Sequence, residues 1–292
     1  MRKVGIFIAP RWSGAKELLE SLHAALGKEV EEVWQTSNWD DHAAKKKIEG
    51  SDLIVCLGGD GSMLWAARAM VPHAVPILGV NMGRLGFLAE IGPRELIDRL
   101  PEALKGKGRM EERAMLQARV PAWGQTFQAL NDVVVGRSIA GRPVYLDVSV
   151  DSHRLALYRS DALIVATATG STGYSLSARG PILHPESRDI VLTPVAPHLA
   201  PARTLVLPRD AVVDLVVSTE EGATVSIDGQ VNRELGSGDS VSVCRSPHVA
   251  RFLRLSEPSH YYHLLAERLE WLRGMNPAEF PELFEQGGSE AK

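Results

Sequence analysis

The chain has 292 residues, 45% of them hydrophobic, and a formal net charge of −4 at pH 7. This length is enough for two packed domains of roughly 150 residues each. The negative net charge argues against a protein that binds nucleic acid through an overall positive charge. No apolar run approaches the ~20 residues of a membrane span, so no membrane partner is expected. The 2 cysteines, Cys56 and Cys244, lie far apart in apolar runs, which predicts buried free thiols in a soluble, cytoplasmic protein.

Strands and helices alternate in the N-terminal part of the chain. The apolar runs Val4 to Ala9 and Leu53 to Leu57 predict buried strands. Ser13 is a predicted N-cap for a helix that ends at Gly27, and a later helix is predicted from Pro93 to Leu104. This alternation predicts a doubly wound α/β domain with a parallel sheet.

Beyond a basic, glycine-rich stretch at Lys105 to Arg109, short β-branched or alternating runs dominate. Phe127 to Val135 predicts one such strand, interrupted by polar residues, and Ser240 to Cys244 and Val249 to Leu255 predict two more. The dipeptide Asp228-Gly229 is typical of a hairpin turn. These signals predict a β-rich domain of layered sheets.

A final helix is predicted from Ser259 to Arg273, with one apolar stripe. We expect it to pack back on the body of the protein, although a partner-binding helix is the alternative. The predicted organisation is an α/β nucleotide-binding domain at 1–108, a β-rich dinucleotide-binding domain at 109–256, and a C-terminal helix and tail at 257–292 that return to the N-terminal domain.

The motif Gly58-Gly59-Asp60-Gly61-Ser62 stands between a predicted buried strand and a predicted helix. Glycines let the backbone approach a ligand closely, and the helix N-terminus offers free N–H groups to a phosphate. A carboxylate in that place repels a phosphate, so anion binding alone does not explain Asp60. We interpret Asp60 as a base or a metal ligand.

A second loop rich in small and hydroxyl residues, Thr167 to Ser177, follows the apolar run Ala162 to Val165. Its hydroxyls can bind a ribose or a phosphate, or they can simply cap the following helix. Two such loops, one in each predicted domain, favour a cleft that holds a large polar ligand.

Three further polar features are weaker candidates, each with a structural alternative. Asn131-Asp132 interrupts a strand and needs partners or a ligand, although a bulge or turn would also explain it. Arg159 and Asp161 could form a surface ion pair, and Gln230 follows a turn where exposed polar residues are ordinary.

In their order and spacing, these motifs resemble the NAD kinase family, and the resemblance covers most of the chain. The glycine-rich turn is shared with lipid kinases and phosphofructokinases, whereas the loop Asn81 to Leu88 and the hydroxyl-rich loop are more specific. Further segments in family order are Gly180-Pro181-Ile182-Leu183, Pro197-His198 and Ala202-Arg203.

The resemblance implies phosphorylation of the adenosine ribose 2′-hydroxyl of NAD to give NADP. The implied donor is ATP, possibly polyphosphate, with Mg²⁺ or another divalent cation that arrives with ATP rather than at a dedicated protein metal site. It also implies a homodimer or homotetramer. Two other readings stay open: a lipid or small-alcohol kinase, and a non-catalytic dinucleotide-binding sensor.

The resemblance also assigns roles to residues. Asp60 resembles the base that takes the 2′-hydroxyl proton, and Asn131 and Asp132 resemble the pair that holds NAD. Asp161, with Arg159 nearby, resembles the nicotinamide-side contact. The remaining implied nucleotide-binding residues are Gly58, Gly59 and Gly61 at the turn, Thr169, Thr172, Gly173, Tyr174, Ser175, Leu176 and Ser177 around the adenosine, and, more loosely, Arg142 and Gln230. The chain departs from the family pattern at Ser62, Ala162, Ala168, Gly173 and Arg179.

Overall fold

The computed structural model describes residues 1–9, 12, 15–38, 42–83, 86–198 and 203–269, with the backbone alone at 42 and 43. The chain forms two compact units, Met1–Leu255 and Ser256–Lys292. The first unit contains all the sheet structure of the described residues.

A parallel sheet forms the N-terminal half of the first unit, in the strand order β2-β1-β3-β4. Its strands are β1 (Lys3–Ile8), β2 (Glu32–Thr36), β3 (Leu53–Gly58) and β4 (Ile77–Asn81). Its helices are α1 (Lys16–Leu26), α2 (His42–Ile48), α3 (Asp60–Ala69) and α4 (Pro93–Leu104).

These helices cover both faces of the parallel sheet. Leu22 of α1 and Leu100 of α4 belong to one buried cluster, whereas Ile48 of α2 and Met63 of α3 belong to another. Since β3 is buried along its whole length, the sheet is the middle of three layers. The predicted doubly wound α/β architecture is confirmed. The predicted cap Ser13 lies outside the described residues.

The β-rich half contains twelve further strands among the described residues. They are β5 (Arg109–Val120), β6 (Gln125–Ala129), β7 (Asp132–Arg137), β8 (Val144–Val150), β9 (His153–Ser160), β10 (Ala162–Ala166), β11 (Ile190–Val195), β12 (Leu205–Leu207), β13 (Val213–Val217), β14 (Ala223–Ile227), β15 (Val231–Leu235) and β16 (Ser240–Arg254). Two short elements follow β10: a 3₁₀ turn, Gly170–Thr172, and helix α5 (Tyr174–Ser177).

The parallel sheet continues into the β-rich half through β16. Phe252 of β16 pairs in parallel with Ile77 of β4, and β16 also pairs antiparallel with β5 and β13. A second sheet has the order β12-β11-β10-β7-β14-β15. Side chains of both sheets, such as Val148 of the first and Val165 of the second, share one core, so the predicted layered-sheet arrangement is confirmed. The predicted domain boundary at residue 108 stays a prediction.

Two strand predictions were wrong in detail. The predicted strands Ser240 to Cys244 and Val249 to Leu255 form the single strand β16, with a register shift between Arg245 and Val249. The single predicted strand Phe127 to Val135 forms two strands, β6 and β7, because the backbone between them bonds to other parts of the site described below.

The second unit contains helix α6 (His260–Arg268). Ser259 occupies the predicted N-cap position, but its side chain makes no capping hydrogen bond. The predicted end at Arg273 lies outside the described residues, and the packing of this helix on the body stays a prediction. No helix in the described part of the chain has the length and apolar character needed to cross a bilayer.

A buried group of charges connects β5 to the end of β16. Glu111 is 4% exposed and accepts hydrogen bonds from Arg113 at 2.6 Å and from Arg254 at 2.9 Å. Arg109 donates a third, at 3.0 Å. Burial alone would raise the pKa of Glu111, but Arg254 and Arg113 lower it to about 2. Glu111 is therefore the negative centre of a buried ion group.

We predict that Glu111→Gln destabilises the protein by about 3 kcal/mol at pH 7, because it leaves buried arginines without a countercharge. The matched control is Glu112→Gln, since Glu112 pairs with Arg251 at 3.1 Å on the surface; its cost should stay below about 1 kcal/mol. Urea unfolding of the three proteins measures both values.

The difference between parent and Glu111→Gln should shrink as the pH falls. The lowered pKa means that the contribution of ionised Glu111 is fully present above about pH 4.5, its ordinary pKa, and is lost toward pH 2. Equal stability of the Glu111 and Glu112 variants at pH 7 would contradict this role of Glu111.

Candidate active site

The glycine-rich turn places Asp60 at the first position of α3, directly after β3, with Gly59 as the N-cap. A side chain at Gly58 would overlap the Ser62 hydroxyl, which is itself buried in the first turn. Glycine at position 58 thus permits the tight passage from strand to helix. Ser62 faces this packing, so its difference from the family pattern does not touch the exposed side of the turn.

The Asp60 carboxylate is held by the backbone of the segment after β4. Its Oδ2 accepts a hydrogen bond from the Phe87 N–H at 2.8 Å, and its Oδ1 accepts one from the Leu88 N–H at 3.1 Å. A Cβ at Gly86 would overlap this carboxylate, so only glycine allows the approach. Each oxygen keeps a lone pair for a further donor. The predicted base is both fixed and able to accept a proton.

The buried ion group around Glu111 also binds the segment that holds Asp60. Arg254 donates to the Leu88 carbonyl at 2.7 Å while it also binds Glu111. On the other side of Glu111, Arg113 reaches the Thr169 hydroxyl at 3.3 Å. One buried network therefore contacts both loops that carry the sequence motifs.

The hydroxyl-rich loop is bonded to the segment between β6 and β7. The Thr167 hydroxyl donates to the Leu130 carbonyl at 2.6 Å, and the Thr167 N–H donates to the Asn131 carbonyl at 2.9 Å. A side chain at Gly170 would overlap the Asn131 backbone, and a Cβ at Gly173 would touch the Asn131 amide nitrogen. Asn131 therefore lies directly against this loop.

Several hydroxyls of the loop are occupied by hydrogen bonds to other parts of the protein. The Thr172 hydroxyl donates to the Thr169 carbonyl at 3.0 Å, and the buried Ser175 hydroxyl lies 3.0 Å from that of Thr193. Neither hydrogen bond caps a helix, and no described side chain caps the 3₁₀ turn or α5, so the predicted capping alternative is wrong for these two side chains. Tyr174, by contrast, is 46% exposed and is the accessible ring of the predicted adenosine wall. Ser177 is also exposed, and Leu176 is partly buried.

Asp228 binds the segment between β6 and β7, whereas the sequence indicated this residue only as part of a turn. Its Oδ2 accepts the Leu130 N–H at 2.9 Å, and its Oδ1 accepts those of Asn131 at 2.7 Å and Asp132 at 3.1 Å. The predicted hairpin is present, with left-handed φ angles of 51° at Asp228 and 66° at Gly229. This turn aims the Asp228 side chain back at the strand boundary, which explains the break between β6 and β7.

Asp132 lies beside Asp228 and is only 6% exposed. Burial, together with the Asp228 charge, raises the pKa of Asp132 to about 7. The pKa of Asp228 is also raised by burial, which outweighs its three backbone donors and the positive charge of Arg68. Burial therefore raises the pKa of both carboxyls, and the Asp228 charge adds to the shift of Asp132.

Gln230 connects this hairpin to the glycine-rich turn. Its Nε2 donates to the Gly61 carbonyl at 2.8 Å, in the first turn of α3. The structure thus brings a group of the predicted site residues together through hydrogen bonds and direct contacts. They are Gly58, Gly59, Asp60, Gly61, Asn131, Asp132, Thr169, Gly173 and Gln230.

Three predicted site residues lie elsewhere. In the register of β10 with β7, Ala166 pairs with Asp132 while Ala162 pairs with Gly136, so Asp161, five residues before Ala166, lies about 17 Å away beyond the other end of the strand. Asp161 forms an ion pair with Arg137 at 2.8 Å, a partner that the sequence did not indicate, and Arg159 faces the Tyr145 ring instead. Arg142 forms an exposed ion pair with Glu221 at 2.7 Å.

Three departures from the family pattern lie in different local environments, and the structure gives no reason for arginine at position 179. Arg179 adopts a left-handed φ of 65°, a conformation that favours glycine. Ala162 packs against Gly136 across the strand pair. Ala168 is buried.

Within the described residues, no three His, Cys, Asp or Glu side chains gather as a metal site. Cys56 and Cys244 are free thiols, Cys56 buried and Cys244 partly buried.

Comparisons with known proteins agree over both halves of the chain. The model for the ATP-NAD kinase N-terminal domain matches residues 1–108, and that for the ATP-NAD kinase C-terminal domain matches residues 130–255. An NAD kinase of Dehalococcoides mccartyi is 40% identical over 273 residues, which are 92% of this chain and 96% of that protein. An NAD kinase of Aromatoleum aromaticum is 44% identical over 76% of this chain and 74% of its own length.

Two solved structures share the fold. A yeast NADH kinase complexed with NADH has a TM-score of 0.82 and 21% identity, covering 94% of this chain and 89% of its own. An NAD kinase from Archaeoglobus fulgidus in complex with ATP has a TM-score of 0.76 and 25% identity, covering 91% of this chain and 98% of its own. The resemblance predicted from the motifs is confirmed, and the chain belongs to the NAD kinase family of enzymes.

Proposed function

We propose that this enzyme transfers the terminal phosphoryl group of ATP to the adenosine ribose 2′-hydroxyl of NAD, with Asp60 as the general base. The main observation in support is the position of the Asp60 carboxylate at the start of α3. Two backbone N–H groups fix it, and each of its oxygens keeps a lone pair that can accept a further hydrogen bond. The archaeal relative bound to ATP supports the choice of donor. Inorganic polyphosphate is the alternative donor.

In the proposed reaction, Asp60 accepts the proton of the 2′-hydroxyl as its oxygen attacks the terminal phosphorus. The new P–O bond forms while the bond from that phosphorus to the β,γ-bridging oxygen breaks, and ADP leaves. Asp60 then releases the proton to solvent. A positioned base of this kind is typically worth ~10²–10⁴ in rate.

The first turn of α3 supplies donors for the phosphate groups. The first N–H groups of a helix have no acceptor within the helix, and they point toward its N-terminus. Gly59 and Gly61 leave open space beside them, since a Cβ at either position would meet no atom. A phosphoryl group can therefore approach this backbone next to Asp60.

Asn131, Asp132 and the loop from Thr169 to Ser177 are proposed to hold the adenosine half of NAD. Asp161 and Arg159, at the other end of β10, are proposed to face the nicotinamide half. The strand length that separates them suits an extended dinucleotide rather than a mononucleotide. For Arg142, only the family resemblance supports nucleotide binding, because its side chain forms an ion pair with Glu221 on the surface.

A divalent cation fits a site with few protein ligands. Mg²⁺ in kinases is held by one or two carboxylates together with the donor phosphates, and each oxygen of Asp60 keeps a lone pair here. When bound, the cation would neutralise phosphate charge. We also propose a homodimer or homotetramer, on the basis of the family resemblance, and a cytoplasmic location, on the basis of the two free thiols.

We predict that Asp60→Asn lowers kcat for NADP formation by ~10²–10⁴, because the amide cannot accept the proton. The matched control is Asp52→Asn, since Asp52 also accepts two backbone N–H bonds, from Arg2 and Lys3, but far from the site. Purified proteins are incubated with Mg²⁺, NAD and ATP, and the phosphorylated dinucleotide is identified and quantified.

Normal activity of Asp60→Asn would overturn its role as base. A parent protein that phosphorylates a lipid or small alcohol but not NAD would contradict the proposed substrate. Gly86→Ala should behave like Asp60→Asn, because its methyl group would displace the carboxylate.

We predict that the KM for NAD falls as the pH rises from 6 to 8. The pKa of Asp132 is raised to about 7, so the carboxylate that can accept a ribose hydroxyl forms over this range. Below that pKa, each pH unit changes the ionised fraction about tenfold. Asp132→Asn should show a flat profile. A parallel fall of the KM for NAD in both proteins would contradict the assignment.

A further inference from the structure

The buried ion group around Glu111 holds two arginines in the same way. Arg254 donates to the Oε1 of Glu111 from its Nε at 3.1 Å and from its Nη2 at 2.9 Å. Arg113 lies against the same oxygen, with its Nε and its Nη2 both at 2.6 Å. A guanidinium carries its N–H donors in one plane, so each arginine keeps its Nη1 for another acceptor. The reaction steps proposed above use neither arginine.

The two Nη1 atoms reach different parts of the candidate site. That of Arg254 donates to the Leu88 carbonyl at 2.7 Å, and that of Arg113 donates to the Thr169 hydroxyl at 3.3 Å. Because the guanidinium is planar and rigid, the edge bound to Glu111 also fixes the direction of Nη1. Both arginines are buried, where a hydrogen bond is stronger than in water. One carboxylate thus orients a donor toward each half of the site.

Arg254 acts on the segment that binds Asp60. The Leu88 N–H donates to Asp60 and the Leu88 carbonyl accepts from Arg254, so both backbone polar groups of this residue are held. Two residues further on, the Glu90 carboxylate accepts the N–H of Leu255, the residue after Arg254, at 3.0 Å. The chain at the end of β16 therefore binds the segment at two points, and Arg254 binds the residue that is itself bonded to Asp60.

Arg113 acts on the loop that is proposed to hold NAD. Thr169 is buried and directly precedes the 3₁₀ turn Gly170–Thr172. Its carbonyl accepts the Thr172 hydroxyl at 3.0 Å, so the orientation of Thr169 sets the start of that turn. Arg113 therefore supports the acceptor side of the site in the way that Arg254 supports the base.

We propose that Arg254 and Arg113 are positioning residues of the reaction, with separate tasks that Glu111 joins. Arg254 holds the segment that fixes Asp60, whereas Arg113 holds the loop that binds NAD. This inference rests on the proposed roles of Asp60 and of the Thr169 loop, and it adds two residues that act through others.

The first test compares the steady-state kinetics of Arg254→Lys and Arg113→Lys with NAD, ATP and Mg²⁺. Lysine keeps the charge opposite Glu111, but its single nitrogen cannot span both acceptors as a guanidinium does. Arg254→Lys should lower kcat roughly ten- to a hundredfold, because a small misplacement of a catalytic group can cost about that much, and should leave the KM for NAD nearly unchanged. Arg113→Lys should instead raise the KM for NAD roughly fivefold, as the loss of one buried hydrogen bond would, and should leave kcat nearly unchanged.

The matched control is Arg251→Lys, because Arg251 lies on the same strand as Arg254 but pairs with Glu112 at the surface. Both kinetic constants of this variant should stay as in the parent.

Glu111→Asp keeps the charge but withdraws the carboxylate from both guanidinium groups by one methylene. It should combine the two effects, a lower kcat and a higher KM for NAD, in a single protein. This variant also tests the inference if a lysine replacement prevents folding.

The second test measures amide hydrogen exchange without substrates. A peptide that contains Phe87 and Leu88 should exchange about tenfold faster in Arg254→Lys than in the parent, because the segment opens more often once its carbonyl partner is lost. The same peptide should exchange as in the parent in Arg113→Lys and in Arg251→Lys.

Equal falls of kcat in Arg254→Lys and Arg113→Lys, or unchanged exchange at Phe87 and Leu88 in Arg254→Lys, would overturn the inference, because the ion group would then serve stability alone. A parent that forms no phosphorylated dinucleotide, while Arg254→Lys still speeds exchange at Leu88, would instead contradict the proposed function and leave the hold of Arg254 on the Asp60 segment standing.

Discussion

The site depends on one constraint: the Asp60 carboxylate is clamped by the backbone N–H groups of Phe87 and Leu88. An aspartate at a helix start can adopt several rotamers, and a base must keep one. Here the strand β3 delivers Asp60, and the segment after the neighbouring strand β4 closes on it. Gly86 is what lets the two approach. The parallel sheet therefore contributes to the site by placing the ends of β3 and β4 next to each other.

The β-rich half supports this clamp through charges rather than through apolar packing alone. Arg254, at the end of β16, binds the Leu88 carbonyl and the buried Glu111, while Arg113 continues from Glu111 to Thr169. Because β16 pairs with β4, the network begins in the same sheet that carries the Asp60 turn. We infer that the positions of the base and of the hydroxyl-rich loop are coupled through Glu111.

The sequence was informative where chemistry is local. Glycines around an acid between a strand and a helix predicted the Asp60 turn, and the alternation of strands and helices predicted the parallel sheet. It was silent where contacts join distant segments: nothing near Asp228 indicates that it holds the backbone at Asn131, and nothing near Arg254 indicates Leu88 or Glu111. The ion pair of Asp161 with Arg137 was missed for the same reason, since Arg159 is nearer in sequence.

The most direct measurement is a crystal structure of the protein with NAD, Mg²⁺ and a non-hydrolysable ATP analogue. If Asp60 is the base, the 2′-oxygen of the adenosine ribose will lie within about 2.6–3.2 Å of an Asp60 oxygen, with Phe87 and Leu88 still bound to that carboxylate. A 2′-oxygen that instead contacts Asp132 or Asp228, with Asp60 remote from the ribose, would show that Asp60 is not the base.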